Sequence, residues 1–267
     1  MTISAFFVFG LIIGSFLNVV LIRRGTRSLA GRSGCMSCRA QLRWTDLIPV
    51  VSWLVLGGKC RTCGSRISVQ YPLVELSTGI MFALIGGAGL SPEYLVLFLP
   101  MGVFLILIAA YDIRHTIIPD EWAYLAAGIA FGASLAGISL VHESLLLTLL
   151  AGPVAALPLA AMWYVSRGRW MGLGDAKLAL AIGWLLGPVY GIYAVFLSFV
   201  IGAVISLAVL IPLPHILRVL RKSGIARGRA HSSYTMKSEV PFGPFLILSC
   251  CIVWFSLMYA IPLPALF

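Results

Sequence analysis

Nearly continuous apolar stretches recur at eight places along the chain: residues 4–22, 72–89, 93–111, 121–140, 144–165, 175–186, 189–211 and 242–263. Barrel strands would be shorter and would alternate apolar with polar positions. Backbone groups in lipid must pair within their own segment, so continuous runs of this kind predict helices. The pattern therefore predicts an all-α polytopic membrane protein of about eight transmembrane helices. Residues 1–22 form the first helix, 23–71 a small polar lobe, and 72–267 a seven-helix membrane domain with a basic loop at 212–241. Pro100, Pro153 and Pro158 fall inside spans and predict kinks. No internal repeat is evident.

Composition agrees. Of the 267 residues 60% are hydrophobic and 10% charged, whereas a soluble domain carries about a quarter charged residues. The net charge of +10 is best read as topology, because Lys and Arg concentrate on the cytoplasmic side. With eight spans and the N-terminus outside, the inner loops are 23–71, 112–120, 166–174 and 212–241. Every Lys and Arg falls in one of them, or at the edge of one in the case of Lys177. The outer loops carry only Glu93, His142 and Glu143. Both termini are thus expected outside and the lobe in the cytoplasm. Arg23, Arg24 and Arg27 follow the first span and no basic residue precedes it, which fits an uncleaved anchor. Arg218, Arg221, Lys222, Arg227, Arg229 and Lys237 in the last basic loop read as facing membrane lipids. Without aromatic interleaving or a recognisable fold they do not point to nucleic acid.

Two acids stand out, because an ionisable residue in or beside a span is a functional candidate. Asp112 lies at the inner end of the third span and Asp175 at the start of the sixth, so both fall in the cytoplasmic half. From Asp175 to the Gly187-Pro188 break there are only twelve residues, about 18 Å of helix against a hydrocarbon core of about 30 Å. Asp175 is then expected inside the membrane, with Gly172-Leu173-Gly174 as non-helical backbone lining a water-filled pocket. Two close carboxylates share a proton, and such a pair activates water and protonates a carbonyl oxygen. The helix ends predict that Asp175, near an N-terminus, holds the charge, and that Asp112, near a C-terminus, holds the proton. The plainer reading is that both acids cap helices or pair with Arg114 and Lys177. Asp120 reads as the start of the fourth helix, yet it rivals Asp112 for the catalytic role. Membrane carboxylates also occur in proton-coupled transporters, which is the alternative from another class.

The lobe carries Cys35-x-x-Cys38 and Cys60-x-x-Cys63 separated by 21 residues. This spacing approximates a closed structural zinc site, with reduced thiols or a redox pair as alternatives. The many basic neighbours favour thiolates. Residues 47–56 are apolar, include Trp53, and lean towards the membrane surface. Cys250 and Cys251 read as packing residues of the last span. His115, His142, His215 and His231 make no ligand pattern.

Taken together these stretches resemble the bacterial type IV prepilin peptidases, which are leader peptidase/N-methyltransferases of the GxGD membrane aspartic protease class. The resemblance rests on Gly14-Ser15-Phe16-Leu17-Asn18-Val19-Val20, the two cysteine pairs, Tyr71-Pro72-Leu73-Val74-Glu75-Leu76, Gly172-Leu173-Gly174-Asp175-Ala176-Lys177-Leu178 and Pro241-Phe242-Gly243-Pro244-Phe245-Leu246. Met36 stands where many relatives have Pro, and Arg24-Gly25-Thr26-Arg27 replaces the commoner Arg-Leu-Pro. The resemblance implies Asp112 and Asp175 as catalytic residues, Gly172 and Gly174 as active-site backbone, and Asp120 as a nearby non-catalytic acid. It also implies prepilin or pseudopilin substrates, the bacterial inner membrane, and methylation of the new N-terminus by S-adenosylmethionine. For that second step Glu75 is the candidate to contact the substrate amine, and Gly58 and Lys59 are candidates for the cofactor region. A peptidase without methyltransferase activity is the nearer alternative.

Overall fold

The computed structural model describes residues 2–25, 28, 31–141, 144–210 and 240–263. All eight apolar segments carry a helix. These are α1 (Ile3–Arg23), α3 (Gln70–Gly87), α4 (Pro92–His115), α5 (Asp120–Leu135), α6 (Leu145–Ser166), α7 (Leu173–Leu186), α8 (Pro188–Ile205) and α9 (Gly243–Met258); a short α2 (Val51–Val55) lies in the lobe. A π-helical turn, Ser206–Leu210, extends α8. Four helices, Ile3–Arg23, Pro92–His115, Leu145–Ser166 and Pro188–Ala208, are long and apolar enough to cross a membrane. The chain is therefore an all-helical membrane protein. Pro100 lies inside α4, and Pro153 and Pro158 lie inside α6. The basic loop expected at 212–241 falls outside the described residues, apart from Val240 and Pro241.

The chain divides into two compact units, Met1–Tyr111 and Asp112–Phe267. In the first, α1 packs along α3. Gly10 and Gly14, one turn apart, make this possible. A Cβ on Gly10 would stand 2.7 Å from the Thr78 carbonyl oxygen, and one on Gly14 2.7 Å from Glu75 Cα. Small residues at this spacing let two backbones touch where no hydrophobic force drives helices together. The buried Asn18 finds its partner on the neighbouring helix, donating from Nδ2 to the Tyr71 carbonyl at 3.1 Å.

In the second unit, α7 is the centre and packs against α5, α6, α8 and α9. Leu178, Ala179, Ala181 and Ile182 are fully buried on it. Its neighbours present small residues: Ala123, Ala126, Ala127 and Ala130 from α5, and Ala151, Gly152 and Ala155 from α6. Gly187, at φ 85°, ends α7, and Pro188 opens α8.

Two expectations are corrected. The first concerns Gly172-Leu173-Gly174, which is not an irregular stretch. Only Gly172 is extended, as the N-cap, and α7 already begins at Leu173. Gly174 can be helical because its bare backbone lies against Ile118, where a Cβ would come within 2.9 Å of Ile118 Cβ. The second concerns repeats, since the lobe contains a short one. Cys35 N–H bonds the Ala40 carbonyl and Arg39 N–H the Cys35 carbonyl; Cys60 with Ser65, and Gly64 with Cys60, reproduce the pattern. Bridges Gly34–Gln41 and Lys59–Arg66 close the two loops. The turn needs a positive φ, met by Gly64 in one copy and by Arg39 (φ 59°) in the other. The two copies share little beyond their cysteines, which hid the repeat from composition.

The contact between α6 and α7 is tight enough to test. A Cβ on Gly183 would collide with the Ala151 carbonyl oxygen, which cannot yield without moving α6, whereas nothing stands within 4 Å of a Cβ on Gly128. Gly183→Ala is expected to cost about 1–3 kcal/mol, and Gly128→Ala less than about 0.5 kcal/mol. Thermal unfolding of the detergent-solubilised protein checks the contrast.

Candidate active site

The second unit holds the carboxylate pair. Asp112 sits on the last turn of α4 and Asp175 on the first turn of α7. They are 4% and 8% exposed, and both line one cavity of about 750 Å³. Asp175 lies within range of the Asp112 charge. Neither carboxylate makes an ion pair among the described residues. The nearest lysine is committed elsewhere: Lys177 Nζ lies 2.7 Å from Asp120 and over the Tyr124 ring at 5.2 Å. The plain reading that Lys177 neutralises Asp175 therefore fails. Asp120 opens α5 and holds that lysine at the cavity wall.

Backbone donors take the place of cations. Gly243 N–H donates to Asp112 Oδ2 at 3.0 Å, and the N–H groups of Gly172 and Asp175 face the Asp175 carboxylate. Gly243 is the first residue of α9, and the first N–H groups of a helix have no partner within it. Pro244 follows and has no N–H, so Gly243 is the donor at this turn. Helix-end reasoning must change accordingly. Asp112 ends its own helix but faces the N-terminus of another, so position along the chain does not decide which acid carries the proton.

Sequence reasoning missed Gly243 and Ile118. A Cβ on Gly243 would stand 2.6 Å from Asp112 Oδ2 and 3.2 Å from Ile118 Cδ1. Ile118 thus lies between two bare glycines, Gly174 and Gly243, beside both acids. The available signal was a glycine at a helix start directly before a proline. Aromatic rings complete the wall, with Phe199 and Phe242 in tilted contact at 4.9 Å between centroids.

The first unit holds the thiols. The sulfurs of Cys35, Cys38, Cys60 and Cys63 all lie within 4.8 Å of one another, and Cys35 and Cys63 are 3.9 Å apart. A tetrahedral ion with metal–sulfur bonds of about 2.3 Å would hold its sulfurs about 3.8 Å apart, so the cluster fits a metal ion. The N–H groups of Cys38 and Ser37, with the Ser65 hydroxyl, hold the Cys35 thiol down to about 6. Hydrogen bonding from the loop, rather than the arginines, favours the thiolate. Ser65 Oγ lies 3.1 Å from Cys63 and 3.6 Å from Cys35.

The candidates for the methyl-transfer region are spread over the same unit. Glu75 is buried, and its carboxylate accepts from Val50 N–H at 2.7 Å. Gly58, at φ 66°, lies under Trp53, where a Cβ would meet the ring at 2.9 Å. Lys59 is exposed.

An all-helical membrane protein with an unpaired acid couple in one cavity and a four-thiol cluster is the class defined so far. Two family models match the chain: the Bacterial Peptidase A24 N-terminal domain over residues 8–87 and the Type IV leader peptidase family over residues 98–207. The chain is similar to a prepilin leader peptidase/N-methyltransferase of Bacillus subtilis (strain 168), at 36% identity over 77% of this chain and 82% of the relative. It is similar to one of Neisseria gonorrhoeae at 31%, over 92% and 88%. It is similar to one of Vibrio cholerae at 30%, over 94% and 96%. No solved structure matches it. The chain belongs to the type IV leader peptidase family.

Gly243→Ala is expected to move the Asp112 carboxylate off its donor and lower peptidase turnover by about 100-fold, with thermal stability close to wild type. Single-turnover cleavage by folded, detergent-solubilised variant measures it.

Proposed function

We propose that this protein removes the leader peptide of type IV prepilins or pseudopilins at the cytoplasmic face of the bacterial inner membrane. It then methylates the new N-terminus using S-adenosylmethionine. The observation that carries the peptidase reading is the shared cavity of Asp112 and Asp175, buried and unpaired by any cation among the described residues. A proton-relay transporter would space its carboxylates across the membrane, and it would have no use for a four-thiol lobe.

The chemistry follows from two acids with one proton between them. A water held by the pair gives a proton to the ionised carboxylate as its oxygen attacks the scissile carbonyl carbon. The protonated partner gives its proton to the carbonyl oxygen, so the intermediate is a neutral diol. Collapse of that diol breaks the C–N bond. The leaving amine takes a proton from one carboxyl, and a diol hydroxyl returns one to the other. The backbone donors at Gly172 and Gly243 orient the two acids, and the Gly172-x-Gly174 backbone brings Asp175 against the loop at Ile118.

Eight spans with both termini outside are supported by the segregation of every Lys and Arg to the inner loops. In that arrangement the thiol lobe is cytoplasmic. Cys35, Cys38, Cys60 and Cys63 would hold a zinc ion with a closed shell, which organises the lobe and takes no part in either reaction. S-adenosylmethionine supplies the methyl group as a second substrate, and the relatives' being leader peptidase/N-methyltransferases supports that activity. Glu75, Gly58 and Lys59 remain the proposed residues for this step.

Asp112→Asn and Asp175→Asn should each lower cleavage at least 1,000-fold while leaving methylation of a pre-cleaved substrate intact. Mass spectrometry of a purified prepilin scores the leader loss, and labelled S-adenosylmethionine scores the methyl transfer. Cleavage at the wild-type rate by either variant would overturn the mechanism. Cys38→Ser combined with Cys63→Ser should bring the bound zinc, about one ion per chain in the wild type, to near zero by elemental analysis. It should also damage methylation more than cleavage.

A further inference from the structure

The apolar side of the thiol lobe is unaccounted for by either activity. Helix α2 has five residues. Trp53 turns inward, its Nε1–H donating to the Ile67 carbonyl at 3.3 Å. Val51, Leu54 and Val55 are exposed, and with Trp44, Leu47 and Ile48 they put six exposed apolar side chains within residues 44–55. Trp44 is 78% exposed, Leu54 64% and Val55 77%. Runs of this kind on a folded protein mark an interaction surface.

Two observations identify what covers it. The first is depth. Glu75, the sixth residue of α3, accepts from Val50 N–H at the start of α2. Five residues of helix rise about 7.5 Å. The start of α2 is therefore level with the second turn of α3, well past the point where that helix begins. Val50 is pinned there in a tight turn: its φ of 62° and ψ of −52° are strained for a β-branched residue, and Val51 N–H closes on the Pro49 carbonyl. The second observation is charge. Residues 23–70 contain nine Arg and Lys and one acid, Asp46. That acid is already neutralised by Arg61, at 2.7 Å.

We infer that residues 44–56 form an interfacial anchor. The Trp44, Leu47, Ile48, Val51, Leu54 and Val55 side chains insert into the headgroup–acyl boundary of the leaflet next to the lobe, and the lobe's arginines and Lys59 bind anionic lipid headgroups. The inference rests on α3 crossing the membrane, as proposed above. An apolar face sunk about 5–10 Å under a basic rim is the geometry of helices that lie in a membrane surface, and each Lys or Arg near an anionic surface adds to the attraction. Such an anchor fixes the lobe at the level where a membrane-embedded substrate would present its polar end.

The test uses the full chain in vesicles, with p-benzoylphenylalanine replacing Leu54 and, separately, replacing Trp44. Irradiation in phosphatidylglycerol/phosphatidylethanolamine vesicles should give lipid adducts at both positions, and the yield should fall severalfold in pure phosphatidylcholine. Adducts only to a second copy of the chain or to added prepilin, absence of adducts, or yields indifferent to headgroup charge would overturn the anchor. Cross-linking requires no catalysis. If cleavage or methylation failed, the peptidase reading would fall without deciding the anchor.

Discussion

The hydrogen bond from Gly243 N–H to Asp112 is the contact on which the proposed chemistry depends. Burying a carboxylate costs several kcal/mol unless something replaces water. Proteins usually answer with a cation, and a cation at 3 Å would lock the acid as an ion and end its use as a proton carrier. Here the one cation at the cavity wall among the described residues, Lys177, is held by Asp120. The acids are left with neutral backbone donors, which orient a carboxylate without fixing its charge. Ile118, between Gly174 and Gly243, then sets how closely α7 and α9 approach the loop after α4. Each glycine is needed as absence of a side chain, and the donor at Gly243 is available because a helix starts there.

Much of this was legible in the chain. All eight helices, the four-thiol cluster and the acid couple could be read from apolar runs, from Cys-x-x-Cys spacing and from the Gly-Leu-Gly-Asp stretch. These are local signals, and each states its own physics. What could not be read was relational. Nothing in Asp112 says that the N–H of a residue 131 positions later will meet it. For that reason each acid's own helix end does not decide the protonation of Asp112. The irregular backbone expected at Gly172–Gly174 was a related error. Gly174 does not bend the chain; it serves close packing inside a regular helix.

The lobe shows the same limit in another form. Its two cysteine loops are alike in hydrogen bonding and unlike in residues, because the turn fixes only two cysteines, a positive φ and two backbone hydrogen bonds. Everything else is free to diverge, and it has diverged in useful ways. Arg61, in the second loop, ties that loop through Asp46 to the 3-10 turn Trp44–Leu47, while Met36, at the equivalent place in the first loop, stays exposed. Glu75 is, by the family resemblance, the candidate to contact the substrate amine. It holds the strained turn that aims α2, a task visible only once Val50 is placed against α3.

The length of α7 carries a last consequence. Its fourteen residues rise about 21 Å, too little for a hydrocarbon core of about 30 Å, so in the proposed eight-span topology both ends cannot reach water directly. The Leu186 end is closed by Gly187 and passes at once into α8, whose first turn needs no donor from its proline. The Leu173 end opens instead on the cavity that holds Asp112, Asp120, Asp175 and Lys177. The shortfall in length therefore falls at the acidic end, where water must enter if the orphan N–H groups of α7 are to be solvated at all. A helix long enough to span would have brought Asp175 to the surface and left it an ordinary solvated acid. In the proposed arrangement, the missing turns would bring the two carboxylates and a reacting water together below the membrane surface.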